Sequence, residues 1–177
     1  VCSSDLAGSI GLSTLLIAQA AGAEAYITDV KRTNLAIART LGARGTFNVT
    51  REEDSRLLDE LASDLPPDVV FVTAGSENEV PRALKMVRRG GRVIVVAHFH
   101  QPQISVDMFT LLTQEKKLEG SITYTGLDLD RGIRLLAQKT INVLPLISEQ
   151  RHLEEIQSCF ERLSAAEEGL IKILLTP

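Results

Sequence analysis

The chain has 177 residues, with 19 Lys plus Arg against 23 Asp plus Glu and a net charge of −4. This is close to the prior of about 150 residues for one domain, and the mild acidity excludes a nucleic-acid footprint or a polybasic membrane surface as its organising feature. Hydrophobic residues at 44% and charged residues at 24% exclude wholesale disorder.

The first six residues, Val-Cys-Ser-Ser-Asp-Leu, have neither the charged region nor the apolar core of a signal peptide. They are also what the tail of a common sequencing-adapter oligonucleotide encodes. The expectation is that residues 1–6 are read-through and that the chain lacks its own first strand; a genuine N-terminal strand is the alternative. Residues 9–21 are almost wholly apolar and predict a buried helix ending before Gly22. The apolar run over 10–27 is broken by Gln19, Gly22 and Glu24 and makes a poor membrane span. A short strand over 25–28, a helix over 31–41 and a weak strand over 46–49 follow. Thr50 and Glu53 have capping-box spacing ahead of a helix carrying Leu57, Leu58 and Leu61. Residues 68–73 form a β-branched run expected of a central strand covered on both faces. Ser76 and Glu79 repeat the capping-box spacing before a helix that fades near Arg88. Gly90 and Gly91 make a turn into a strand over 92–97, followed by a helix over 108–114 and a strand over 117–123. Helices alternating with such strands predict βαβ units, a parallel sheet and right-handed crossovers.

After Tyr124 the pattern changes. A helix over 128–138 places Leu129, Ile133 and Leu136 on one face, and a link carrying Pro145 follows. A second helix sets Leu153, Ile156, Phe160 and Leu163 at core spacing, and residues 170–175 predict a closing strand. The expected organisation is a dinucleotide-binding domain over 7–123 and a returning segment over 124–177 that completes a domain lying elsewhere.

Gly8-Ser9-Ile10-Gly11 opens the first helix. A dinucleotide loop needs glycine for a tight turn, for backbone access to the pyrophosphate and for close helix–strand packing. The helix N-terminus adds unpaired N–H groups and roughly half a positive charge. In the full Gly-x-Gly-x-x-Gly spacing the first glycine falls on Leu6, so helix packing alone is the competing account of Gly8 and Gly11. Asp29 ends the second strand, 18 residues after Gly11, where a carboxylate can accept from the adenosine ribose hydroxyls. It would repel a 2′-phosphate and favour NAD over NADP, with Lys31 and Arg32 softening the preference. A helix-capping role for Asp29 is compatible with this one.

These motifs, with Ile27-Thr-Asp-Val30, Gly90-Gly-Arg-Val-Ile-Val-Val96, Gly120-Ser-Ile-Thr-Tyr-Thr125, Pro145-Leu-Ile147 and residues 169–175, occur in the order of a known family. Residues 7–177 resemble the second half of the medium-chain zinc-type alcohol dehydrogenases, in particular the sorbitol, butanediol and threonine dehydrogenase branch. The resemblance implies a Rossmann-type doubly wound α/β sheet whose catalytic domain closes with the returning segment. It implies that residues 8–11 surround the pyrophosphate, that Asp29 binds the ribose, and that Arg32 lies beside it. Thr73 and Gly75 would flank the cofactor, Val96 and Ala97 would lie near the nicotinamide, the Thr123 backbone would bind the carboxamide, and Lys172 would reach the phosphates.

Ser9 replaces a commoner Pro, Ala97 and His98 replace a Gly-plus-apolar pair, and Asn34 stands where a basic residue often flanks the ribose. The family's zinc ligands and proton-relay residues belong to its first half, so zinc is expected only outside this chain and no catalytic residue within it. The implied activity is hydride transfer between an alcohol or polyol and NAD, in a cytoplasmic homo-oligomer of two or four copies, with no nucleic-acid or membrane partner. The fragment alone is expected to be inactive. Rival readings are a zinc-free quinone or enoyl reductase of the same superfamily, a non-catalytic nucleotide sensor, and a methyltransferase, which the tail after Tyr124 fits poorly.

Cys2 and Cys159 build neither a disulfide framework nor a cysteine zinc cage. His98 and His100 have metal-like spacing but no carboxylate or cysteine beside them, and read as loop residues at the cofactor mouth. His152 reads as the start of a helix and Cys159 as a buried inert thiol. Tyr124 is open between the substrate cleft and a core role, and Lys172 between a phosphate contact and an exposed position. The charge run over 115–119 is expected beside an edge strand.

Overall fold

The computed structural model describes residues 2–5, 7–99 and 103–177. Its strands and helices in chain order are β1 (Cys2–Asp5), α1 (Ser9–Ala20), β2 (Ala25–Asp29), α2 (Arg32–Thr40), β3 (Gly45–Asn48), α3 (Glu52–Asp64), β4 (Val69–Val72), α4 (Glu79–Met86), β5 (Arg92–Val95), α5 (Met108–Thr113), β6 (Lys117–Gly120), α6 (Gly126–Ala137), β7 (Glu149–His152), α7 (Ile156–Ser164) and β8 (Ile173–Thr176). Short 3-10 turns cover Leu144–Leu146 and Leu153–Glu155.

Six strands form one parallel sheet in the order β3-β2-β1-β4-β5-β6. This is the doubly wound Rossmann order. Every residue of β2 is buried, as the continuous apolar run requires of a strand covered on both faces. Val70, Val72 and Val93 are fully buried under α4, where Val80, Ala83 and Leu84 meet them. On the other half of the sheet Leu12, Leu16, Ile27 and Leu35 share a core with Leu146 from the link after α6. That link therefore docks on the larger sheet's core. β6 is the edge strand, as expected of its flanking charges, and Lys116 beside it is buried with Nζ donating to the Leu84 carbonyl at 2.6 Å.

Several expectations are corrected. The first strand is present: Cys2–Asp5 pairs in register with residues 25–28 and 69–72 at the centre of the sheet. Ladder hydrogen bonding uses backbone groups, so four residues without proline can occupy this place. Neither Thr50 nor Ser76 caps a helix. The Thr50 hydroxyl donates to Asn48 Oδ1 at 2.6 Å, and α3 begins after Arg51 with no side-chain cap. The Ser76 hydroxyl donates to Glu79 Oε1 at 3.0 Å, and α4 begins after Asn78, also without one. A true capping box stands at Thr125 and Asp128, a turn before the helix start expected from the apolar pattern.

In the returning segment, residues 149–152 form a strand and pair in parallel with β8. His152 ends that strand, exposed, and also starts a helix as expected: it is the N-cap of the 3-10 turn that runs into α7, its amide donating to Glu155 Oε2 at 3.1 Å. Leu153, Ile156, Phe160 and Leu163 are not core residues; Phe160 is 63% exposed, while Cys159 between them is buried. Leu129, Ile133 and Leu136 of α6 also face outward. Leu129, Ile133 and Leu136 border an open pocket shared with Leu16 and Ile17 of α1 and with Ile141 and Val143.

Candidate functional site

Because the strands of the larger sheet are parallel, the loops that follow them open along one edge. The strand order turns back between β1 and β4, and such a switch point leaves a crevice outside the strand ends. The loops after β1, β2, β4, β5 and β6 carry, in turn, residues 8–11, Asp29 with Arg32, Thr73 with Gly75, Val96 with Ala97, and Thr123. All the residues nominated from sequence except Lys172 are thereby brought to one edge.

At the centre, Gly8 is the N-cap of α1 in extended backbone, with φ −77° and ψ −172°. No side chain caps the first-turn amides and no acidic residue lies in that turn. The helix ladder starts at Leu12 N, which donates to Gly8 O at 2.9 Å, so the amides of Ser9, Ile10 and Gly11 have no intrahelical acceptor. The hydroxyls of Ser13 and Thr14 turn back onto the carbonyls of Ser9 and Ile10, leaving those amides clear. A Cβ placed on Gly8 would meet nothing within 4 Å, so the space before them is open. Gly11 is buried, which suits close helix–strand packing. The cradle thus has the donors and the room that a diphosphate needs.

At the end of β2, Asp29 is 1% exposed. Its Oδ1 accepts from Lys31 N at 2.6 Å, and its Oδ2 from Ala7 N at 2.8 Å and Asn34 Nδ2 at 3.1 Å. The carboxylate clamps the loop after β1 to the first turn of α2. Sequence reasoning treated Asn34 only as a departure from a basic residue and missed this pairing. The signal available was a short amide side chain five residues from a strand-ending carboxylate. Arg32, the first residue of α2, is exposed beside the clamp.

On the other side of the switch point, Val72 O accepts from both Val96 N at 2.9 Å and Ala97 N at 3.1 Å. A Cβ on Gly75 would stand 2.0 Å from His98 O, so the close approach of these two loops requires glycine there. Val96 and Ala97 are half-buried and His98 is exposed. Thr73 is half-buried at the end of β4. Thr123 is exposed in the left-handed region at φ 54°. Tyr124 is 72% exposed, which removes the core role. Lys172 is exposed in the link before β8, where its carbonyl accepts from Ser148 N at 2.8 Å. Leu6 and His100 lie outside the described residues. Among the described residues no three His, Cys, Asp or Glu side chains are grouped to hold a metal ion. No helix among them is long and apolar enough to cross a membrane.

Residues 9–138 match the family model described as zinc-binding dehydrogenase. The chain is 30% identical over 173 residues to the sorbitol dehydrogenase of Rattus norvegicus, covering 96% of this chain and 47% of that protein. It is 28% identical over 171 residues to the sorbitol dehydrogenase of Bacillus subtilis, covering 96% and 48%. It therefore spans about half the length of the curated relatives it matches. Among solved structures, the alcohol dehydrogenase TADH from Thermus sp. ATN1 superposes with a TM-score of 0.90 at 27% identity, covering 99% of this chain and 50% of that one. A zinc-binding dehydrogenase from Sinorhizobium meliloti, solved bound to NADP, shares the fold with a TM-score of 0.88 at 24% identity, covering 100% and 52%. The parallel sheet, its glycine-lined crevice and the sequence match over most of the chain agree, and the chain belongs to the zinc-binding dehydrogenase family.

Proposed function

We propose that the crevice at the β1–β4 switch point binds a nicotinamide dinucleotide, and that the chain is the cofactor-holding portion of an alcohol or polyol dehydrogenase. The observation that carries the reading is the uncapped, sterically open N-terminus of α1 at the crevice's centre, flanked by the other nominated loops. The amides of Ser9, Ile10 and Gly11 would hold the pyrophosphate, with the positive end of α1 behind them. The end of β2 would seat the adenosine ribose, which places the nicotinamide half along Thr73, Gly75, Val96 and Ala97. The Thr123 backbone, in the left-handed region, would bind the carboxamide. Lys172, exposed in the returning segment, would reach the phosphates from there.

When bound, the cofactor supplies the ring that exchanges hydride with the alcohol. The chain's own part is binding, orientation and exclusion of water along the half-buried wall of Val96 and Ala97. The whole protein is proposed to act on a small alcohol or polyol as a cytoplasmic homo-oligomer with zinc, and the 177-residue chain to bind without turnover. The test is NADH fluorescence enhancement with the wild-type chain, Gly11→Val and an exposed control, Glu60→Gln, each checked for folding by circular dichroism. Saturable enhancement in wild type and control, abolished by Gly11→Val, is expected. A silent wild type, or equal enhancement in Gly11→Val, overturns the reading.

A further inference from the structure

β3 closes one side of the larger sheet, pairing among the described residues with β2 alone. Arg44 N, one residue before the strand, donates to Ala25 O at 2.8 Å. Alternate residues of a parallel ladder bond to opposite sides, so the backbone groups of Gly45 and Phe47 point away from β2 to a side where no described strand lies. Neither a proline nor a break in register interrupts this edge.

The side chains beside it are arginines. Arg44 stands exposed just before the strand, and a cleft walled by Arg39 and Arg51 lies between α2 and the end of β3, with buried Leu35 and Asn48 in its lining. Arg39 Nε donates to Thr46 Oγ1 at 2.7 Å, which lays that side chain against β3 and leaves its terminal nitrogens without a partner among the described residues. Asp54 is the one acid of the cleft. Its Oδ2 accepts from Asn48 N at 2.9 Å, and Arg51 stands 3.7 Å from its Oδ1. Arg88, Arg92 and Arg162, by contrast, meet their carboxylates at 2.6–2.8 Å. The Asn48 side chain is fixed, its Nδ2 donating to Val30 O and its Oδ1 accepting from Thr50 N, both at 3.0 Å.

We infer that the β3 edge docks an acidic peptide segment in extended conformation, whose backbone continues the sheet and whose carboxylates meet Arg39, Arg44 and Arg51. Open strand edges accept such segments through main-chain hydrogen bonds, and flanking side chains select among them. A second copy of the same edge would set arginine against arginine, whereas an acidic strand meets opposite charge. The opposite edge, β6, carries Lys117 and Glu119 and has no such bias. β3 lies two strands from β1 and the switch point, so the docking edge is separate from the crevice and does not depend on what the crevice binds.

The experiment follows the fluorescence anisotropy of a short fluorescein-labelled peptide of alternating Glu and Val as the 177-residue chain is added, at low and at moderate salt. A Gln–Val peptide removes the charge, and a Glu–Val peptide with alternate amides N-methylated keeps the charge but cannot complete a ladder. The double variant Arg39→Gln with Arg51→Gln, checked for folding by circular dichroism, removes the cleft's cations. Saturable binding of the Glu–Val peptide is expected, weakened by salt and by about three- to tenfold in the double variant, as two exposed ion pairs allow. The Gln–Val peptide should bind more weakly still, and the N-methylated peptide should not saturate. A Glu–Val peptide that never saturates overturns the inference. So does an N-methylated peptide that binds equally well, since charge alone would then account for the contact, or a double variant that binds like wild type.

Discussion

Replacing Asp29 separates two roles for one carboxylate. If its work is to clamp the loop after β1 to α2, then Asp29→Ala strands three donors, two of them on buried groups. Each buried donor left unmade costs about 1–3 kcal/mol, so the two together cost about 2–6 kcal/mol. That is a large share of the stability of about 5–15 kcal/mol that domains possess. Asp29→Asn is the graded variant. Its single oxygen can serve Ala7 N and Asn34 Nδ2, but its amide then faces Lys31 N, donor against donor. One lost bond gives about 1–3 kcal/mol. Urea unfolding followed by far-ultraviolet circular dichroism reads both, with the midpoint scaled by the slope. The expected order is wild type above Asp29→Asn above Asp29→Ala. An alanine variant within about 1 kcal/mol of wild type would show that the clamp contributes little. A residue serving only a ribose would leave unfolding of the ligand-free chain unchanged, so the same measurement distinguishes the two roles.

Gly75→Ala must push back the His98 carbonyl, since its Cβ would begin 2.0 Å from that oxygen. A backbone shift of this kind costs about 1–3 kcal/mol, or about 2–9 °C in melting temperature for a chain of this size. It should weaken NADH binding as well, and an unmoved melting point refutes the close approach. Hydrogen bonds from Arg162 and then Arg151 hold the Glu149 carboxyl down at about 2, against its ordinary 4.5. With the folded value below the unfolded one, its contribution is complete above about 4.5 and fades as pH falls towards 2. Amide protection in β7 and β8 should decline across that window and the decline should be blunted by Arg162→Gln; protection that stays flat in the wild type counts against the network.

What was legible in the sequence followed from patterns that depend on few partners. β2 is buried along its whole length, while β4 and β5 bury Val70, Val72 and Val93 and leave their other residues half-buried or, at Arg92, exposed, and the apolar and β-branched residues of all three marked them as strands. Strand ends then place the loops, so residues 8–11, Asp29, Thr73, Gly75, Val96, Ala97 and Thr123 come to one edge of the sheet, which needs no knowledge of their contacts. Capping was less legible because it is a competition. Thr50 has the right spacing, but the Asn48 side chain lies nearer and takes its hydroxyl. β7 was invisible because Glu149-Gln-Arg-His152 has no apolar alternation; it is held by the ladder to β8 and by Glu149 bonded to Arg151 and Arg162. The Asp29–Asn34 bond depends on how the loop closes over α2, and spacing alone does not specify that.

The apolar stripes of α6 and α7 show how periodicity and burial come apart. Periodicity records the face that an element must cover, whereas burial requires a surface to cover it. The stretch between these helices behaves differently. Ile141, Val143 and Leu146, with Ile171 before β8, pack onto the core that also holds Leu12, Leu16 and Ile27. Lys31 then ties the turn after α7 to the end of β2 through the Ala166 carbonyl. Ala166 itself sits at φ 51°, a conformation that alanine adopts at a cost and that surrounding contacts must hold. The last third of the chain is therefore anchored beside the loop that carries Asp29 and Arg32, while its helices present apolar faces outward.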